Sequence, residues 1–222
     1  MSSVGAQWAP YHVRQWREDY QKIRVALMDL LVNRRILWTV LRDLSGRRSL
    51  REYAGPIVGA QQMSFAAYNV SMVRQMVDDG KDALSLVNLL RDIAQHPEEI
   101  SRRWYVAQWN PDFREVAERR FDALVGKGRR HLTREIVQTD LRRLTVRTAR
   151  VVSWTNEHVA HRARRPTTAA TFRDLRLAIE NINRIANRYA ALLHDREVVM
   201  PVIPEQWRQV TWARRRRGRR LR

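Results

Sequence analysis

The chain of 222 residues contains no cysteine. This absence excludes disulfide bonds, thiolate nucleophiles and zinc sites built on cysteine. The N-terminal stretch, MSSVGAQWAPYHVRQW, lacks the apolar region of a secretory signal, and no run elsewhere approaches the ~18 apolar residues of a membrane span. We therefore expect a cytoplasmic protein that does not enter a membrane.

The sequence also lacks β-strand alternation of useful length, and no internal repeat is evident. Apolar residues instead recur at steps of three, four and seven, the spacing of one helix face. With 44% hydrophobic residues, the chain is long enough to bury a sizeable core in one domain. We predict an all-α fold, a bundle of about six or seven helices over residues 1–199. An extended arm and a basic tail would follow over residues 200–222.

Two long helices are predicted first. Apolar residues from Trp16 to Leu44 define one helix face, and Gly46 is a natural terminator for that helix. The next segment, residues 50–77, is rich in small side chains. Because small side chains let helices approach closely, we place this second helix in the centre of the bundle.

Shorter helices are predicted next, each from its own start signal. Asp82 is the expected N-cap of a helix over residues 83–94. Pro97 and Pro111 each suit a first helical turn, where a missing N–H costs nothing, and Gly126 ends the second of these helices. These signals predict three short elements between the long ones.

The last two helices are again long. An apolar stripe begins near His131 and ends before Pro166, because proline disfavours helical geometry in the residue before it. Thr167 and Thr168 form the expected capping start of the final helix. Since the connection between the two helices is short, they should pack as antiparallel neighbours.

Charge is distributed unevenly along the chain. Residues 1–100 hold 13 Lys and Arg against 11 Asp and Glu, whereas residues 101–222 hold 29 against 12. An excess this one-sided attracts polyanions and favours nucleic acid as the partner. The alternatives are an anionic membrane surface and solvated charge without a dedicated partner.

Reactive side chains are densest in TVRTARVVSWTNEHVAHRARRP, residues 145–166. RNA cleavage without a metal needs a proton acceptor, a proton donor and cations beside the phosphate. Histidine transfers protons near neutral pH, so His161 is the candidate general acid and base, with Asn156 to orient it or the phosphate. Five helical steps turn about 140°, so the two share a face only if the helix unwinds or two subunits combine. The alternative is a polar helix end.

Arginine and tryptophan side chains are the candidate RNA contacts, because guanidinium groups bind phosphates and indole rings stack on bases. The candidates are Arg150, Arg162, Arg164, Arg165, Trp207, Trp212, Arg214, Arg215, Arg216, Arg217, Arg219 and Arg220. His158 and His161 have a spacing that could ligate a metal, but Glu157 would project elsewhere. We therefore expect no metal and no cofactor.

The segment TNEHVAHR at 155–162 resembles the Arg-Asn-x-x-x-Ala-His-Arg signature of HEPN-domain proteins. The resemblance is to the abortive-infection branch of that superfamily, which acts in phage defence. Three further blocks look like the corresponding blocks of the same branch, at 73–93, 172–193 and 202–212. The four blocks follow one another in the same order, from residue 73 to residue 212.

The resemblance implies an all-α bundle that forms a homodimer. It also implies a metal-independent endoribonuclease of the toxin or phage-defence type, whose motif Arg and His act together across the dimer. His161 matches the catalytic histidine and Asn156 the polar residue after the arginine, while the arginine position holds Thr155. Threonine carries no charge to neutralise a phosphate, and one lost catalytic cation costs several kcal/mol of transition-state stabilisation.

Three hypotheses follow from this departure. In the first, the protein is a nuclease in which another arginine, such as Arg150 or Arg162, replaces the motif arginine. In the second, it is a non-catalytic RNA-binding or ribosome-associated factor whose arginine tail supplies most of the affinity. In the third, it is an antitoxin or sensor whose basic surface meets an acidic protein.

Overall fold

A computed structural model of the chain describes residues 10–45, 48–160 and 167–194. Over these ranges the chain forms seven α-helices and no strand, which confirms the predicted all-α fold. The helices are α1 (Tyr11–Ser45), α2 (Arg48–Met76), α3 (Leu86–Gln95), α4 (Arg102–Ala107), α5 (Arg114–Val125), α6 (Arg134–Thr155) and α7 (Phe172–His194). The proposed arm and tail, residues 200–222, lie outside the described residues.

The core is built on the apolar face of α1 that the sequence predicts. The side chains at its three-and-four spacing are buried: Trp16, Tyr20, Ile23, Leu27, Leu30 and Leu37. This face packs with residues of α3, α6 and α7 into one hydrophobic cluster. The Tyr20 hydroxyl, deep in that cluster, donates a hydrogen bond of 2.9 Å to the carbonyl of Ala186 in α7. Burial raises the pKa of Tyr20 well above its ordinary value.

Helix α2 packs against α1, α6 and α7, but the burial predicted for the small residues in its middle is wrong. Ala60 and Ser64, two of the small residues expected in the centre of the bundle, are exposed, and Met63 beside them is 62% exposed. The buried part of α2 lies further along, at residues such as Val70 and Val73. Small side chains permit a close approach between helices but do not require one.

Two predicted helix starts are also wrong. Ser85, not Asp82, caps α3, because its hydroxyl accepts a hydrogen bond of 3.1 Å from the backbone N–H of Asn88. At α7 the cap is Thr171, whose hydroxyl accepts from the N–H of Asp174 while that carboxylate accepts from the N–H of Thr171. This reciprocal pair is a capping box, and it lies three residues after the predicted cap at Thr168.

The signals at Pro97, Pro111 and Gly126 are confirmed, whereas the predicted helix ends at Gly46 and before Pro166 lie outside the described residues. Pro97–Glu99 and Pro111–Phe113 each form one turn of 3₁₀ helix ahead of α4 and α5. Gly126 ends α5 with φ of 110°, a conformation that a residue with a side chain rarely adopts. Among the described helices, none combines the length and apolar character needed to cross a membrane.

Helices α6 and α7 are antiparallel neighbours, as their short connection predicts. Three contacts between them run in opposite sequence order, namely Arg150 to Asp174, Arg143 to Asn181 and Asp140 to Arg188. Arg150 and the backbone of Arg143 therefore lie beside α7. The end of α6 and the start of α7 meet at the same end of the bundle.

Candidate functional site

The buried face of α6 continues to its last residue, Thr155, which is 2% exposed. Its hydroxyl donates a hydrogen bond of 2.7 Å to the carbonyl of Val151, and the carbonyl of Val70 in α2 lies 3.5 Å away. The position that holds arginine in the HEPN signature thus faces the core between α6 and α2. The Thr155 side chain itself is therefore closed to solvent.

A turn of π helix, Asn156–Ala160, follows α6 directly. Its hydrogen bonds join residues five apart instead of four, so the side chains of this turn do not follow α-helical spacing. His161 itself lies outside the described residues. Single π turns within helices are frequent at functional sites.

Asn156 carries an unsatisfied acceptor at this turn. Its Oδ1 atom is buried and has no hydrogen-bond partner within the described residues. Leaving a buried polar group unpaired costs about 1–3 kcal/mol, and such a group calls for an explanation in a ligand, a proton or a neighbouring group. Asn156 is therefore the described residue that best fits the predicted role of holding another group in place.

Glu157 ties the π turn to the segment before α7. Its carboxylate accepts hydrogen bonds from the N–H groups of Thr167 and Thr168, at 2.7 and 2.9 Å, and from the Thr168 hydroxyl at 2.6 Å. These donors favour the ionised form and hold the pKa of Glu157 at about 2. The sequence predicts a helix cap at the two threonines and does not reveal this contact. The sequence signal for this contact is an acidic residue, Glu157, followed by a short stretch that ends in two consecutive threonines.

The depressed pKa of Glu157 predicts a pH-dependent contribution to stability. Above its ordinary pKa of 4.5 the carboxylate is ionised in both states, and its stabilisation is fully present. As the pH falls from 4.5 towards 2, the unfolded state binds the proton first and the contribution is lost. We expect Glu157→Gln to lower the melting temperature at pH 7 and to have progressively less effect below pH 4.5.

Thermal unfolding of both proteins at steps between pH 3 and pH 7 would measure this difference. Glu18→Gln is the matched control, because Glu18 is exposed on α1 and makes no hydrogen bond or ion pair within the described residues. A Glu157 effect that persists unchanged to pH 3 would contradict the carboxylate's role.

His158 is held by the helix that precedes it. Its ring stacks on Trp154 with centroids 4.7 Å apart, and its Nδ1 lies 3.0 Å from the Trp154 carbonyl. The part of the chain that the structure describes contains no group of three His, Asp or Glu side chains arranged to hold a metal ion.

The second half of α6 is cationic. Residues 141–155 include four arginines and no acidic residue. Three of them, Arg143, Arg147 and Arg150, follow one another at steps of four and three and lie on one side of the helix, all exposed. We call these three the arginine row. It extends about 10 Å along α6 and leads towards the π turn.

The guanidinium groups of the arginine row are largely available. Arg150 is 65% exposed and lies 3.4 Å from the Asp174 carboxylate, a weak surface ion pair. The side chains of Arg143 and Arg147 make no hydrogen bond or ion pair with any described residue. Of these three arginines, only Arg150 is among the RNA contacts predicted from the sequence. The signal for the other two was the regular arginine spacing in a segment without acids.

The remaining predicted site residues lie outside the described ranges, so their predicted roles stay predictions. They are His161, Arg162, Arg164, Arg165, Trp207, Trp212, Arg214, Arg215, Arg216, Arg217, Arg219 and Arg220. Of the predicted site residues, the structure describes Arg150 and Asn156, which lie six residues apart near the end of α6 with no contact recorded between them. Comparisons of the chain with protein-family models, curated proteins and solved structures gave no match. The HEPN resemblance accordingly rests on its sequence blocks.

Proposed function

We propose that this protein binds RNA and that the arginine row of α6 contacts the RNA backbone. The observation that carries the proposal is the row itself, three exposed arginines on a helix segment without acids, two of which have no partner among the described residues. Guanidinium groups bind phosphate oxygens in a bidentate geometry, which makes arginine the preferred residue for such contacts. We propose RNA rather than DNA because of the HEPN resemblance. The same resemblance is the basis for proposing a cytoplasmic location and a role in growth control or phage defence.

The expected result is a loss of RNA affinity when the arginine row is neutralised. In the full chain, Arg143→Gln, Arg147→Gln and Arg150→Gln together should weaken binding of a single-stranded RNA at least about tenfold. The dependence of log affinity on log salt should fall in slope by about 2, because each lost phosphate contact no longer releases counterions. Fluorescence anisotropy over a range of salt concentrations would measure both quantities.

The control removes three arginines elsewhere. Arg14, Arg24 and Arg119 are exposed and distant in sequence from the row. Replacing all three with Gln changes the net charge by the same amount as the row variant does. If this control weakens RNA binding as much as the row variant, the affinity follows total charge and the proposed interface is wrong. A single-stranded DNA of the same sequence tests whether the surface distinguishes the two polymers.

Endoribonuclease activity is the second candidate function. It is favoured by the unpaired Oδ1 of Asn156 in a π turn next to the motif histidine. In this scheme His161 transfers protons and Asn156 holds the phosphate or the imidazole ring. The resemblance also implies a homodimer, and Val146, 73% exposed on α6, is an apolar position that a second copy would cover.

The anisotropy samples separate these two functions when they are also run on a denaturing gel with a chelator present. RNA fragments produced by the wild type but not by His161→Ala would establish the nuclease. Intact RNA in both samples, with binding retained, would establish a binding protein without catalysis. If the wild type binds no RNA and an acidic protein copurifies with it from the native host, the protein-interaction hypothesis is supported instead.

A further inference from the structure

A second candidate site lies near the start of α6, at the other end of the helix from the π turn. Here a cavity of about 790 Å³ opens between α4, α5 and the segment that contains Arg130 and His131. Because α6 is 22 residues long, the cavity and the π turn are about 33 Å apart along the helix. Its volume is within the range of about 300–1,000 Å³ that is usual for small-molecule sites.

Two guanidinium groups in the cavity wall are free to bind an anion. Arg103 and Arg130 line the cavity, are exposed and make no side-chain hydrogen bond or ion pair with a described residue. The other two arginines of the wall are already paired, Arg102 with Asp122 and Arg114 with Glu118. The uncompensated positive charge is therefore concentrated at positions 103 and 130.

The backbone holds these two positions together. The N–H of Arg102 donates to the carbonyl of Arg130 at 2.8 Å, and the N–H of Leu132 donates to the carbonyl of Ile100 at 3.0 Å. These two hydrogen bonds join the start of α4 to the segment that precedes α6. The guanidinium groups of Arg103 and Arg130 consequently extend from two fixed and adjacent backbone segments.

An unpaired donor belongs to the same cavity. Trp109 lines it, and the Nε1 atom of this residue is buried with no hydrogen-bond partner in the described part of the chain. Arg120 lies over the indole ring, 5.7 Å from its centroid, and helps to fix the ring in place. Nε1 is closed to solvent, so an acceptor atom on a ligand would satisfy this N–H once the side chains that cover it move aside. Val106 and Pro111 supply apolar surface beside it.

We propose that this cavity binds a nucleoside monophosphate. Its phosphate would lie between the guanidinium groups of Arg103 and Arg130, and its base would lie on the apolar lining with a ring acceptor directed at Trp109 Nε1. Glu98, also in the wall, offers its carboxylate to a ribose hydroxyl. A nucleotide combines the phosphate, the planar apolar body and the acceptor that these side chains require. The site is independent of the RNA interface on α6, so either proposal can fail without the other.

Isothermal titration calorimetry of the full chain with AMP, GMP, CMP and UMP tests the proposal, with the matching nucleosides and inorganic phosphate titrated separately. We expect at least one nucleotide to bind about tenfold more tightly than its nucleoside and than phosphate. Equal affinity for phosphate and every nucleotide would overturn the proposal in favour of a simple anion site. Absence of nucleotide binding would overturn it outright.

Substitutions locate the binding. Arg103→Gln with Arg130→Gln, and separately Trp109→Phe, should each weaken the nucleotide about tenfold or more. Two controls match them. For Trp109→Phe the control is Trp104→Phe, because the Nε1 of Trp104 is likewise buried and unpaired among the described residues but Trp104 does not line the cavity. For the arginine pair the control is Arg14→Gln with Arg24→Gln, which removes the same charge from α1. Controls that weaken binding as much as the cavity variants would overturn the assignment, and unfolding midpoints of all four proteins show whether packing is lost.

Discussion

Replacing Asp140 with alanine is expected to lower the free energy of unfolding by about 3 kcal/mol. Asp140 is 2% exposed on α6, and its Oδ2 accepts a hydrogen bond of 2.7 Å from Arg188 on α7. The Tyr189 hydroxyl lies 3.4 Å from the same oxygen. Removing the carboxylate leaves a guanidinium and a buried hydroxyl without their acceptor, and the loss of one partner from a buried pair is strongly destabilising.

Urea denaturation of the wild type and of two Asp140 variants would measure this loss. Asp140→Asn retains the side-chain shape and one acceptor oxygen, so it should be less destabilising than Asp140→Ala. Glu118→Ala is the surface control, because its pair with Arg114 is largely exposed and should contribute no more than about 0.5 kcal/mol. A loss below about 1 kcal/mol in Asp140→Ala would show that the α6–α7 contact does not depend on this carboxylate.

The elements that the sequence predicts correctly are those governed by local rules. The buried face of α1 follows from apolar spacing, and the end of α5 follows from the backbone freedom of Gly126. Helix caps are harder to predict from the sequence, because neighbouring polar residues compete for the same position. The hydroxyl of Ser85 accepts from Asn88 and also donates to the carbonyl of Asp78, and no spacing rule reveals that second contact.

Local composition predicts where the candidate site lies but not how its side chains are directed. Its segment is apparent from composition, since apolar residues give way to polar and basic ones around Asn156. The direction of each side chain depends on what packs against α6. Thr155 is buried because the helix rests against Val70 of α2, a residue 85 positions earlier in the chain. The contact between Glu157 and Thr168 likewise depends on the α7 segment returning to the end of α6.

Replacing Thr155 with arginine would restore the HEPN signature in sequence, but we expect it to destabilise the fold. The site is 2% exposed and bounded by carbonyl groups of Val151 and Val70. A long cationic side chain there is both overpacked and deprived of a carboxylate partner, which together should cost about 4 kcal/mol or more. Urea denaturation would measure the loss, and the denaturing-gel assay would show whether RNA cleavage appears.

Two matched variants serve as controls for Thr155→Arg. Thr155→Val removes the hydroxyl but not the shape, so its cost should stay near 1 kcal/mol. Ser153→Arg adds the same charge at an exposed position two residues earlier, where stability should change by less than about 0.5 kcal/mol. If Thr155→Arg is instead as stable as Ser153→Arg and cleaves RNA, position 155 has access to the phosphate. Threonine would then be the reason for any lack of catalysis in the natural sequence. Destabilisation without cleavage would instead mean that position 155 serves packing between α6 and α2.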